Sequence, residues 1–429
     1  MEDPKYQRGR NYSFSLKVGV PSPEDGTDDL TTYIDSIRFV NTLSSIYPTF
    51  VFLFKADTTE VIARNMYGQN TLIFTISLDK EDGNPTEFLK LELLYLQSNL
   101  QLVPKPMGTN ADDSKDIGQV SLTAIVLPCY NMMSALINYI FEEPAALTPF
   151  DALAEAILSK VNGAIELDPK GKNMEPINQL IIPTMSVIKT IDFFNEKYGL
   201  FEGPLFRYCI WDNAKKEAVL QMWDMSKRIQ NEPVAKIWHL PAEAQEGEMD
   251  KIKDKVDQIP HYYYTDSPLM TLHHANSNII NSGYKKKQII HPDDLLFYNI
   301  ENDMDNIMST VGVYDNNASM KYNSKINTGN FSICTGLKGH ARDPFALSSR
   351  MAAQIQNTSS VKLTIIRNVD VENLIKVGSP IHLEPMSESY LGYAGKFILH
   401  TSDIQWFKGG SEQWNCNVTL TMFRSNQEK

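Results

Sequence analysis

Apolar and polar positions alternate with period two along much of the first 128 residues. Ile37 and Phe39 share one face of a segment that also contains Ser36, Arg38 and Asn41. Leu72, Phe74, Ile76 and Leu78 oppose Ile73, Thr75 and Ser77, and Leu89, Leu91, Leu93 and Tyr95 oppose Lys90 and Glu92. Past a polar loop at 108–114, Val120, Leu122, Ala124 and Val126 repeat the pattern. Residues 50–54, Phe-Val-Phe-Leu-Phe, are apolar throughout, as in a strand buried on both sides. Short strands separated by turn residues predict a small barrel or sandwich.

The period changes after Pro144. Thr148 is placed to cap a helix with Pro149 first and Asp151 in the first turn. Leu153, Ile157 and Val161 follow at helical spacing, with Gly163 as the expected end. A second helix is predicted over 186–198, striped by Val187, Ile191, Phe194 and Tyr198 and stopped by Gly199. Two β-runs, 205–211 and 218–223, then form a hairpin through Asp212 and Asn213. Residues 232–339 carry charged and Asn-rich stretches with no clear period and read as an elaboration inserted into a domain.

Period two returns at the C-terminus, with Val361, Leu363 and Ile365, then Ile381 and Leu383, Phe397 and Leu399, and Ile404 and Trp406. After the Gly409-Gly410 turn, Trp414, Cys416, Val418, Leu420 and Met422 line one face, opposite Asn417, Thr419 and Thr421. Slipping that strand by one residue would expose all five apolar side chains, so its register should be tightly specified. The fold class expected is α+β and β-dominated, with a small β-module at each end of an α/β middle. The expected domains are 1–128, 129–235 with the helix and hairpin, 236–355 as the insertion, and 356–429.

Composition narrows the function. A chain of 429 residues exceeds one compact core, and 42% apolar content is that of ordered domains. A formal charge of −12 argues against a dedicated nucleic-acid binder, which would show a basic face. Cys129, Cys209, Cys334 and Cys416 are far apart and read as buried free thiols of a reducing compartment. The N-terminus lacks the apolar stretch of a signal peptide, and the apolar run 47–54 is too short to span a bilayer, so no membrane-spanning segment is expected.

Each candidate for chemistry has a plainer reading. His273 and His274 are adjacent, so their side chains diverge on any regular element, and no HExxH spacing supports a metal. His291, beside Asp293 and Asp294, falls at a Pro292 turn or helix start. Glu142 and Glu143 read as solvated charges, and a glycan-cleaving pair cannot be singled out among 52 acidic residues. There is no GxSxG and no phosphate-binding loop, and Gly199 to Gly203 reads as a turn after a helix. Lys285, Lys286 and Lys287 read as a solvated loop or a contact with a neighbour. Tyr262, Tyr263 and Tyr264 read as interface residues. The sequence thus predicts no catalytic, cofactor or metal site, no cofactor, and no enzyme.

The C-terminal pattern resembles the closing barrel of baseplate central hub proteins of contractile-tailed phages, related to the hub part of type VI secretion spike proteins. Its parts are Val377-Gly378-Ser379-Pro380-Ile381-His382-Leu383, Gly395-Lys396-Phe397-Ile398-Leu399-His400, the Gly409-Gly410 turn, and the strand from Cys416 to Arg424. The helix over 186–198 with its hairpin is similar to that family's central segment. The resemblance implies two tube-type β-barrels per subunit and a homotrimeric ring that adapts a sixfold tail tube to a threefold central spike. It also implies contacts with tail tube, spike and other baseplate proteins, DNA passing through the lumen without specific binding, and a place in the virion after synthesis in the host bacterial cytoplasm. An acidic lumen would suit such passage. The rival readings are a tail-associated peptidoglycan hydrolase and a receptor- or carbohydrate-binding tail protein.

Overall fold

The computed structural model describes residues 11–19, 28–29, 31–43, 45–54, 73–81, 85–102, 118–141, 147–161, 163–167, 170–174, 176, 180–201, 205–212, 214–224, 228, 231–239, 261–264, 269–272, 285–289, 329–333, 358–365, 376–385, 394–408 and 414–425. The first region holds β1 (Asn11–Gly19), β2 (Asp28–Asp29), β3 (Ile34–Thr42), β4 (Thr49–Phe54), β5 (Ile73–Glu81), β6 (Pro85–Leu102) and β7 (Gly118–Val126). The middle holds α1 (Leu127–Ser134), β8 (Leu136–Phe141), α2 (Pro149–Leu158), β9 (Ala164–Leu167), β10 (Leu180–Ser186), α3 (Val187–Lys197), β11 (Leu205–Asp212) and β12 (Glu217–Asp224). The chain continues through β13 (Ala235–His239), β14 (His261–Tyr264), β15 (Leu269–Leu272), β16 (Lys285–Ile289) and β17 (Gly329–Ile333). It closes with β18 (Thr358–Ile365), β19 (Pro380–Pro385), β20 (Gly395–Lys408) and β21 (Trp414–Ser425). The fold is β-dominated, with three α-helices among the described residues.

One 14-stranded sheet runs through both end modules. The N-terminal strands pair in the order β3-β4-β7-β6-β5-β1-β2, antiparallel throughout. The C-terminal strands are organised by β20. One of its edges pairs with β21 from Ile398 to Lys408. The other pairs with β19 through Gly395–Ile398 and then with β3 through Thr401–Phe407. The register shifts between Leu399 and Thr401, so His400 is the irregular residue where the strand changes partner. A bulge bends a strand and increases its twist, which lets one strand serve two sheet segments. The main chain holds the corner: Leu43 N–H donates to His400 O at 2.9 Å, and Gly378 N–H to Leu399 O at 2.7 Å. No closed barrel is seen among the described residues; the pairing is a continuous path with a branch at β20, from which β21, β18 and β15 follow in turn.

Burial follows the alternation. Ile37 and Phe39 of β3, Phe50, Phe52 and Phe54 of β4, and Leu122, Ala124 and Val126 of β7 are buried. So are all five members of the β21 stripe, Trp414, Cys416, Val418, Leu420 and Met422. The run 50–54 is buried at every second position, its intervening residues half-exposed, so β4 has one covered face rather than two. Phe50 stacks on Phe52 along the strand at 5.9 Å between ring centres, and Phe39 of β3 stacks on Phe50 across it at 4.2 Å.

The helices obey their caps. Thr148 Oγ accepts the Asp151 N–H at 3.2 Å, and the Thr148 hydroxyl donates to the Asp151 carboxylate at 2.6 Å. That helix ends at Leu158 rather than at Gly163. Gly163 has another use, since a Cβ there would lie 3.0 Å from the Ala218 carbonyl of β12 and 3.2 Å from Met132 Sδ. The α3 helix runs between its Ser186 cap and Tyr198 as its spacing predicts, and the Tyr198 and Gly199 carbonyls each accept from Asn173 Nδ2 at 2.9 Å. The hairpin β11-β12 forms in the expected place and adds β9 as a parallel third strand.

Candidate functional site

The features that stand out among the described residues are surfaces. The first is the solvent face of β3, β20, β21 and β18. Strand pairing sets side chains of opposed residues on the same face, and here it builds rows across four strands. Thr42 stands opposite Thr401, Thr401 opposite Thr421, and Thr421 opposite Lys362. The next row runs Val40, Asp403, Thr419, Thr364, and the next Arg38, Gln405, Asn417. Thr42 and Thr401 hydroxyls are 2.9 Å apart, and Thr364 and Thr419 hydroxyls 3.3 Å. Arg38 grips Asp403 with two bonds, Nε to Oδ1 at 2.7 Å and Nη2 to Oδ2 at 2.5 Å. The hydrogen bond to Asp403 is the main reason the Arg38 guanidinium is held above its ordinary value. Across these rows Lys362 is the remaining charged side chain, so the face is rich in hydroxyls and amides and carries two cations and one anion.

The second surface is the two-stranded ribbon of β8 and β10. Ile140 and Ile181 are directly opposed and point to solvent, 61% and 64% exposed, and Leu136 on the same side is 66% exposed. Neither strand contains a charged residue, and among the described strands each pairs only with the other. On the inward side Ile137 and Ile182 are buried, and the Tyr139 hydroxyl donates to Glu155 of α2 at 2.7 Å.

Among the described residues, burial acts on the cysteines and on His382. Cys129, Cys209 and Cys416 are buried free thiols. A hydrogen bond with Cys129, together with burial, holds the Cys209 thiol well above its usual range, and burial pushes Cys416 up to about 12. A thiol so placed stays protonated and is a poor nucleophile. His382 lies 3.4 Å from Glu384, but burial is the largest influence on it and lowers its affinity for a proton. No group of three or more His, Cys, Asp or Glu side chains is arranged to hold a metal among the described residues.

The candidates picked out by sequence are not brought together. His273, His274, His291, Asp293, Asp294, Glu142, Glu143 and Cys334 lie outside the described residues. Lys285 to Lys287 open β16, which pairs in parallel with β17, and are therefore strand rather than loop. Tyr262 to Tyr264 lie in β14, in parallel with Ile237 to His239 of β13. Gly199 has φ +69°, and Leu200 and Phe201 after it are buried, in keeping with a turn after α3. Sequence reasoning missed the β8-β10 ribbon, although its signal is present: Leu136, Ile140 and Ile181 are apolar residues in segments without charge.

No family model matches the chain, and no curated protein matches it. Among solved structures, a tail protein from Neisseria meningitidis MC58 is similar over 95% of this chain and 96% of its own, at 10% identity and a TM-score of 0.49. The 43 kDa tail protein of prophage MuSo2 from Shewanella oneidensis is similar over 96% of each chain, at 8% identity and a TM-score of 0.48. An Escherichia coli component of the type VI secretion system, described as structurally similar to bacteriophage T4 tail proteins, is similar over 96% of this chain and 77% of its own, at 8% identity and a TM-score of 0.42.

Proposed function

We propose that this chain is a structural hub subunit of a phage-type tail, a wall element without catalysis. The observation that carries the reading is the continuous sheet joined at β20, buried on one face and lined with hydroxyls and amides on the other. Such a sheet is suited to being a wall. The two end modules, 1–128 and 356–429, then act as the tube domains, and residues 129–235 and 236–355 as the middle domain and its insertion. Three copies contribute six modules, which matches a sixfold tail tube on one side and a threefold spike on the other.

Closure into a ring covers the strand edges that a free subunit leaves open, and open edges are an aggregation hazard. The uncharged β8-β10 ribbon, with Ile140 and Ile181 outward, is assigned to the contact with the neighbouring copy, since exposed apolar surface of this kind marks an interface. The face around Arg38, Asp403 and Thr401 is assigned to the lumen. Its basic residues are Arg38, which is bonded to Asp403, and Lys362, a sparse hold on a passing nucleic acid, whose non-specific affinity comes mainly from basic contacts to phosphate. Tail tube, spike and other baseplate proteins are the partners, and the virion baseplate is the location.

The test is the particle the purified chain forms. Sedimentation equilibrium should give three times the chain mass of 48.6 kDa, and electron microscopy a threefold ring with a central channel. A monomer that turns over peptidoglycan, or one that binds glycans without assembling, overturns the reading. Ile140→Lys with Ile181→Lys should leave the far-ultraviolet spectrum unchanged and shift the chain to monomer.

A further inference from the structure

Beneath the junction of the two modules lies a cluster of buried polar side chains that the proposed function does not use. Asn41 of β3 stands directly opposite Ser402 of β20, and both are fully buried. Their neighbours on that face are apolar: Phe39, Ile404, and Leu420 of β21, which opposes Ser402. Tyr208 of β11 reaches in from the middle domain, also fully buried, and its hydroxyl donates to Asn41 Oδ1 at 2.7 Å. The other arm of the amide, Asn41 Nδ2, and the hydroxyl of Ser402 have no hydrogen-bond partner among the described residues. Two orphaned polar atoms side by side in an apolar core are costly, at about 1–3 kcal/mol each, and native structures rarely leave them so.

We infer that Asn41, Ser402 and Tyr208 form a binding site for a single internal water molecule. Directly opposed residues have Cβ atoms about 5 Å apart, and where the two side chains turn away from each other, as the orphaned Asn41 Nδ2 and Ser402 Oγ do, one water spans the gap. The chemistry selects a neutral ligand able both to donate and to accept. A cation finds no carboxylate there, and an anion would sit uncompensated among Phe39, Ile404 and Leu420. The water accepts from Asn41 Nδ2, donates to Ser402 Oγ, and has its second proton free for the remaining lone pair of the Tyr208 hydroxyl. That gives three partners, the usual number for a buried water. The inference does not depend on which way the amide is turned: with oxygen and nitrogen exchanged, Tyr208 accepts, and the orphan becomes an acceptor to which the same water donates. The bound water completes a polar latch by which the middle domain is fixed at one place on an otherwise apolar sheet.

The experiment is a crystal structure of the full chain, determined to better than about 2 Å so that ordered waters are visible. The expected result is one peak within about 2.6–3.2 Å of both Asn41 Nδ2 and Ser402 Oγ. The same structure of Ser402→Val, which fills the space and removes one partner, should lack that peak. A wild-type map with no peak, or with Ser402 Oγ bonded directly to Asn41, overturns the inference. So does a peak that persists unchanged in Ser402→Val. If that variant does not fold, the wild-type map decides alone.

Discussion

Gly378 shows how much one residue can carry. It adopts φ +80°, in the left-handed region, and a Cβ built on it would lie 1.9 Å from Trp223 Cζ2. Its carbonyl accepts from Arg228 Nε at 3.2 Å, and Arg228 lies over the Trp223 ring at 5.3 Å. Gly378→Ala therefore meets both a backbone penalty of about 1–2 kcal/mol and an overpacking penalty of about 1–3 kcal/mol. Urea denaturation should show the sum as a midpoint lowered well beyond that of an ordinary surface change. His400, at the irregular point of β20, gives a pH dependence. Burial lowers its proton affinity, its Nδ1 lies 2.8 Å from Thr401 Oγ1, and its ring meets Phe423 edge-on. A group whose folded value lies below its ordinary one, about 6.5 for histidine, is protonated first in the unfolded chain. Its contribution to stability is thus intact above about pH 6.5 and is lost as pH falls below it. His382 is shifted the same way, mainly by burial, with Glu384 opposing and Lys236 and Lys396 reinforcing. In His400→Gln the fall in thermal midpoint below pH 6.5 should be shallower than in the native chain but not absent, because His382 remains.

At the scale of elements, local rules and packing divide the work. The α2 cap is local: Thr148 Oγ holds the Asp151 N–H, while the Asp151 carboxylate also takes Lys172 Nζ at 2.6 Å. Thr148→Ala should cost about 1 kcal/mol in a denaturation curve, with helix content otherwise kept. Both helix starts at Thr148 and Ser186 were legible in sequence because capping depends on residues within one turn. The β21 stripe was legible because alternation over Trp414 to Met422 admits one register. The α1 helix was not, since its eight residues begin at Leu127-Pro128, where alternation simply stops, and Val126 caps it without a side-chain bond. The end of α2 was misplaced because Gly163 reads as a helix stop, whereas it is kept small by Ala218 and Met132, more than 30 residues away in either direction.

At the scale of the whole molecule, β20 decides the architecture. Its pairing with β3 joins residues about 365 apart, and Arg38 with Asp403 crosses the same seam. That exposed ion pair is worth little by itself, about 0–1 kcal/mol, so the seam depends on main-chain bonds and on the buried face of Ile37, Phe39, Ile404 and Trp406. A chain ending at residue 365 should therefore expose the β3 edge and those apolar side chains, and light scattering should show it aggregating where the full chain stays dispersed. The sequence by itself determined the strands, their inward faces, two of the helices and their caps, because each depends on neighbours a few positions away. Only the tertiary structure decided that the two end modules share one sheet, that His400 marks the turn from β19 to β3, and that Tyr208 reaches Asn41. The contacts of β20 with β3 and of Tyr208 with Asn41 join residues well over a hundred positions apart, and no periodicity within a segment records which distant edge will complete its hydrogen bonds.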